Sequence, residues 1–354
     1  MRILITGSSG LIGSEAVEYF DKFPGVEIIG IDNNSRKEFF GEEGDTSWNL
    51  KRLQEITSNF KSADMDIRDR GKIFDLFVNK KFDLILHFAA QPAHDYSFKY
   101  PLRDFDVNCN GTVNLLEATR VHCPKATFIY TSTSKVYGDS VNEKPMVELE
   151  KRYEYSDPLD WLGISEKQRI DQNMHSVFGA SKTAADIMVQ EYGKYFGLYT
   201  ACLRGACLTG GKHSGVELHG YLSYLVKCVL EQREYQVYGY KGKQVRDNIH
   251  SYDVVHACLM IYEYGRTQER CGEVYNLGSG RNNSVSVLEA FDIVEAMTGM
   301  KPIYKMHEGN RTGDHIIFIA DITKFQQHYR TWVPVYNLER IFEDIINGHR
   351  ARSK

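Results

Sequence analysis

The chain has 354 residues, 42% of them hydrophobic, enough to bury one large core or two smaller ones, and a single unit of two lobes is expected. Its net charge of −4 gives no basic footprint for nucleic acid, and its 7 cysteines, odd in number and without a CxxC pair, argue against a disulfide frame or a zinc site. The chain begins directly on strand-like residues and no run approaches a membrane span, so neither export nor insertion is expected and a reducing cytoplasm fits best.

In chain order, residues 1–6 form a short apolar run, and Gly7-Ser-Ser-Gly10-Leu11-Ile12-Gly13 is a glycine-rich turn. Residues 14–20 then carry apolar side chains at helical spacing, so the segment reads as strand, turn and helix. The glycines stand where a backbone turns tightly and approaches a pyrophosphate seated at a helix N-terminus. A second apolar run, 26–31, ends on Asp32, the place of a carboxylate that grips the adenosine ribose hydroxyls. Asp32 favours NAD over NADP, because a 2′-phosphate would meet a like charge; Arg36 tempers this by offering a cation nearby.

Residues 82–88 read as a buried strand leading to Ala89 and Ala90, 106–118 as a helix and 126–130 as the next strand. The alternation predicts an α/β fold with a doubly wound parallel sheet. Ligands of such sheets collect at the carboxyl ends of the strands, so Asp32, Asp66, Ala89 to Gln91 and Thr131 to Lys135 are expected to face one crevice. The second half is less regular, with helices expected over 220–231 and 285–296. No spacing among the 12 histidines points to a metal.

Thr6-Gly-Ser-Ser-Gly-Leu-Ile-Gly13, Asp32-Asn-Asn, Asp66-Ile-Arg-Asp69, His87-Phe-Ala-Ala-Gln91, Ser132-Thr-Ser-Lys-Val-Tyr-Gly138 and Phe178-Gly-Ala-Ser-Lys182 resemble, in order, the extended short-chain dehydrogenase/reductases that modify nucleotide sugars. Leu203-Arg204, Gly242-Lys-Gln-Val-Arg-Asp-Asn-Ile-His250 and Tyr275-Asn-Leu-Gly-Ser-Gly280 extend the match over nearly the whole chain. Within that family the sequence is most similar to the CDP-tyvelose (CDP-paratose) 2-epimerases. The resemblance implies a mainly NAD-binding Rossmann domain over 1–180 and a mainly nucleotide-sugar-binding lobe over 181–354, exchanging some strands and helices. It also implies a homodimer formed through helices around 105–120 and 178–197. Asp66 and Ile67 are similar to the pair that meets adenine, Phe88, Ala89, Ala90 and Gln91 to the small-residue strand end beside pyrophosphate and ribose, and Asn108 to the family asparagine. Leu11, Ile12, Asn33, Ser35 and Thr131 complete the implied cofactor set. Arg246 and Arg311 match positions used for the diphosphate, where a planar guanidinium suits bidentate contact. Arg204 is expected at phosphate or sugar, Tyr238 at the base, and Gln91, Ser134 and Lys135 at the substrate.

Oxidising a secondary alcohol with NAD needs a base for the hydroxyl proton while a hydride leaves the carbon; a tyrosine serves when a nearby cation lowers its pKa. Four residues apart on a helix, positions 178 and 182 share a face, so Lys182 supplies that cation. Thr133 would steady the oxygen as it becomes a ketone. At 178, however, the chain has phenylalanine, which keeps the ring and removes the proton carrier; a general acid–base group contributes about 10²- to 10⁴-fold. Three readings stand: an engineered tyrosine replacement, a natural enzyme recruiting another group such as His175, Tyr96 or Cys207, and natural loss of activity. The related dehydratases place an aspartate and a glutamate where this chain has Ser134 and Lys135, so elimination is poorly served. Epimerisation of a CDP-sugar at C2 is the expected reaction, with UDP-sugar 4-epimerisation and a non-catalytic NAD(H)-binding protein as alternatives. The insert 139–177 is expected to cover the sugar.

Overall fold

Seven short strands pair side by side in the computed structural model, which describes residues 1–310 and 313–352. They are β1 (Arg2–Thr6), β2 (Glu27–Asp32), β3 (Phe60–Asp64), β4 (Leu84–His87), β5 (Thr127–Thr133), β6 (Tyr199–Gly205) and β7 (Glu273–Leu277). All pairings are parallel and the spatial order is β7-β6-β5-β4-β1-β2-β3. The direction of winding reverses between β1 and β4, which opens a crevice at the carboxyl ends of the strands. This is the doubly wound Rossmann-type sheet expected from the alternation of elements.

Strand periodicity explains why the sheet is apolar on both faces. Ile3, Ile5, Ile28, Leu84, Leu86, Ile129, Leu203 and Leu277 pack on one side with the Leu11–Asp21 and Ser251–Met260 helices. Leu4, Ile29, Ile85, Phe128, Tyr130 and Cys202 point the other way, under the Arg70–Asn79, Gly111–His122 and Ser176–Phe196 helices. The Ser176–Phe196 helix stops at Gly197, whose φ of +73° closes a left-handed cap that a side chain would strain. The helix expected over 106–118 begins as a π turn, Asp106–Asn110, that carries Asn108, and continues as the α-helix Gly111–His122.

β6 and β7 belong to the second half of the chain and complete the sheet. The smaller lobe holds the Tyr221–Leu230 and Val287–Thr298 helices over a core of Leu222, Leu225, Val229, Phe291, Phe342 and Ile345. Beside it, strand Val245–His250 lies between Ser284–Ser286 and Ile317–Phe318 and also pairs with Cys207–Thr209. The insert 139–177 packs onto this lobe: Tyr155 and Ile164 join Val245, Ile317, Phe318 and Ile319 in one cluster. No residue of the insert is part of the described cavity wall, and its Ser176 reaches that wall through His94.

Candidate active site

The strand ends open into a cavity of about 490 Å³ that the second lobe closes on its far side. At one end lies the glycine turn. Gly7 has φ +68°, and a Cβ on Gly13 would stand 2.1 Å from the Gly7 carbonyl oxygen, so strand and helix approach closely only with glycine there. Gly10, Leu11, Ile12 and Gly13 all face the cavity.

Asp32 ends β2 and accepts hydrogen bonds from the Ser9 and Asn34 backbone N–H groups at 2.9 and 2.8 Å. Burial pushes its carboxyl above the ordinary range, against the pull of these donors. Asn33 and Ser35 are also on the wall, and Asn33 Nδ2 donates to Asp66 at 3.0 Å. Asp66 is joined there by Ile67, Phe88, Ala89 and Ala90. Arg36 reaches the cavity but is committed elsewhere: its guanidinium donates to the Ser214 carbonyl at 2.6 Å and lies 3.1 Å from His219 Nδ1. Thr131 Oγ1, buried on the same wall, has no hydrogen-bond partner among the described residues. A glycine-rich turn at a helix start, a carboxylate on the next strand and a waiting hydroxyl fit a dinucleotide with a free ribose hydroxyl pair.

Phe178, Lys182 and Thr133 all line the cavity. Phe178 and Lys182 lie one turn apart on the Ser176–Phe196 helix, both buried. Lys182 Nζ donates to the Thr131 carbonyl at 2.7 Å and stands 4.2 Å from the centre of the Tyr130 ring. Burial pulls its ammonium down to about 7, with Asp186 and Asp104 opposing. The Phe178 ring packs at 4.9 Å against the imidazole of His94, which is itself on the wall. Thr133 Oγ1 accepts the Lys135 backbone N–H at 3.2 Å.

Ser134 and Lys135 follow on the wall, and neither brings a carboxylate. Lys135 Nζ donates to the Gly313 carbonyl at 2.9 Å and to Asp314 at 3.1 Å, and Arg246 donates to the same Asp314 oxygen at 2.6 Å. Burial alone would raise the Asp314 carboxyl, but Arg246 and Lys135 outweigh it and hold the group far below the usual carboxylate range. Tyr238 is on the wall, its ring stacked at 4.6 Å on His307.

Three expected residues stand elsewhere. Arg204 is buried behind the wall, where it donates to Asp186 at 2.8 and 3.1 Å and to the Tyr137 hydroxyl at 3.2 Å, so it is a structural cation rather than a substrate ligand. Gln91 and Asn108 also lie outside the described wall. The Gln91 amide donates to Asp104, and Asn108 brackets the Gln91 backbone through bonds of 2.8 and 3.0 Å, so the pair braces the Ala89–Ala90 strand end from behind. Arg311 lies outside the described residues.

Of the three groups considered as substitutes for a tyrosine, His175 bonds the Val136 carbonyl and Tyr96 donates to Glu38. Only Cys207 is on the wall, and burial pushes its thiol up to about 12. Sequence reasoning missed His94, although it stands just past the small residues that end β4; it also missed the 212–221 segment, whose local sequence carries no motif.

Residues 3–278 match the NAD-dependent epimerase/dehydratase family. The chain is 32% identical over 329 residues to the CDP-paratose 2-epimerase of Salmonella typhi, covering 92% of both proteins. It is 27% identical over 352 residues to the UDP-glucose 4-epimerase of Homo sapiens, covering 97% of this chain and 95% of that one. Among solved structures, the UDP-glucose 4-epimerase of Thermotoga maritima, in a structure with UDP-glucose, superposes with a TM-score of 0.80 at 26% identity, covering 100% of both chains.

Proposed function

Because the chain belongs to the NAD-dependent epimerase/dehydratase family, we propose that it epimerises a nucleotide-diphosphate sugar, a CDP-hexose at C2, by transient oxidation to a keto-sugar and re-reduction. The observation that carries this reading is the single cavity in which the dinucleotide turn and Asp32 run on to Thr133, Phe178 and Lys182 and then to Arg246 and Tyr238. NAD supplies the hydride acceptor and donor. Gly7, Gly10 and Gly13 give its pyrophosphate room, and Asp32 takes the adenosine ribose hydroxyls. Lys182 binds the nicotinamide ribose through an ammonium that the Thr131 carbonyl orients. Thr133 steadies the sugar oxygen. Arg246 takes the diphosphate, with Arg311 as its companion on the strength of the resemblance, and Tyr238 lines the base. Ser134 and Lys135 leave the site without the acid pair that elimination needs, which favours epimerisation over dehydration.

The similarity to CDP-paratose 2-epimerase supports the CDP-sugar. The UDP-glucose 4-epimerase likeness supports a second reading, inversion at C4 of a UDP-sugar. The reading also includes a homodimer through the outer faces of the Gly111–His122 and Ser176–Phe196 helices, where Val121, Ile187 and Tyr195 are exposed, and a cytoplasmic location in which the cysteines stay reduced.

Incubation of the protein and of Phe178→Tyr with NAD and CDP-, UDP- or GDP-hexoses tests the substrate. Epimer formed from the CDP-hexose, faster in Phe178→Tyr, is the expected result. Product from UDP-hexoses alone would move the assignment to the second reading.

A further inference from the structure

We propose that His94 carries the proton that residue 178 does not, taking it from the sugar hydroxyl on oxidation and returning it on reduction. The proposal rests on the epimerase reading above. His94 opens the His94–Lys99 helix, past the Ala89–Ala90 turn that follows β4, and shares the cavity wall with Thr133, Phe178 and Lys182. Its imidazole lies 4.9 Å from the Phe178 ring, centre to centre, at 56° between planes, so a proton-exchanging ring stands flank to flank with the one that lost its hydroxyl.

Ser176 holds that imidazole in place. Its Oγ lies 3.0 Å from His94 Nδ1 and accepts the Gly179 backbone N–H at 3.3 Å. Ser176 has φ +63°, a left-handed conformation that serine seldom adopts, and such strain concentrates where a site dictates geometry. With Nδ1–H donating to Ser176 Oγ, the basic lone pair is on Nε2. The step then balances. The hydroxyl proton passes to Nε2, the O–H electron pair becomes the second bond of the ketone, and the carbon's hydrogen leaves with its electron pair to the nicotinamide. Re-reduction runs the same movements backwards, with the hydride entering the opposite face of the ketone and the imidazolium protonating its oxygen.

The neighbouring groups are less suited. Cys207 keeps its proton because burial pushes the thiol up to about 12, and Lys135 and Asp314 are bonded to each other.

The test measures turnover and NAD affinity for the wild type, His94→Gln, Phe178→Tyr and the double variant, with CDP-, UDP- and GDP-hexoses. The wild type should turn over, and His94→Gln should fall by about 10²- to 10⁴-fold with NAD affinity unchanged. The double variant should regain most of that loss, because the tyrosine restores a proton carrier. His94→Gln at wild-type turnover, a double variant as slow as His94→Gln, or a silent wild type beside an active Phe178→Tyr each overturns the role of His94 and leaves the epimerase reading standing. Silence of all four proteins on every sugar overturns both.

Discussion

Lys182 sits in a setting that penalises its charge, with a carbonyl and an aromatic face as its compensation. Its folded value of about 7 lies below the ordinary value of 10.5, so between these two pH values the unfolded chain binds a proton that the folded chain has released. Stability from this group therefore rises with pH across that window. Lys182→Met removes the dependence: thermal unfolding should show the variant more stable than the wild type at pH 6, with the gap closing as pH rises toward 10.5. Two arginines divide in the same way between structure and function. Arg204→Met strands the buried Asp186 carboxylate and should cost about 3–5 kcal/mol in denaturant unfolding, whereas Asp186→Leu with Arg204→Met should recover most of it. Arg246→Gln removes one of the two cations that keep the buried Asp314 ionised, so it should lower stability, less than Arg204→Met because Lys135 remains, and weaken nucleotide-sugar binding in a titration by about 10-fold or more.

Elements differ in how openly the sequence declares them. The turn between β1 and its helix is legible because its demands are local: Gly13 must lack a Cβ to lie against the Gly7 carbonyl, and Asp32 must end the next strand. Gly13→Ala should thus abolish NAD binding in a fluorescence titration and lower the melting temperature, since the clash is with backbone that cannot swing away. Phe178 and Lys182 are legible for the same reason, being one helical turn apart. Arg204 is misleading because its neighbour is set by the sheet: on β6 its side chain turns to the face where Asp186, on the preceding helix, waits. Gln91 and Asn108 belong to the same class, a bracket between strand end and π turn that no spacing announces. The insert's destination was hidden too, because Tyr155 and Ile164 find their partners far along the chain, at Ile317 and Ala320.

At the scale of the molecule, the second lobe completes a site the Rossmann half cannot make alone: the 212–221 segment and Tyr238 and Arg246 supply the cavity's far side. The Arg36 contacts to Ser214 and His219 tie that segment to the first turn after β2. The exposed Ile187 and Tyr195 on the Ser176–Phe196 helix place the proposed dimer seam on the element that carries Phe178 and Lys182. Ile187→Glu should therefore convert a dimer to monomer in sedimentation velocity, since a charge in an apolar interface goes unpaired. The central claim is that a sugar hydride leaves for a nicotinamide held in this cavity, and rapid mixing of the NAD-loaded protein with a CDP-hexose tests it most directly. The account predicts reduced-nicotinamide absorbance that rises and then falls as epimer forms; an NAD-loaded protein that binds the CDP-hexose tightly and never shows reduced cofactor would contradict it.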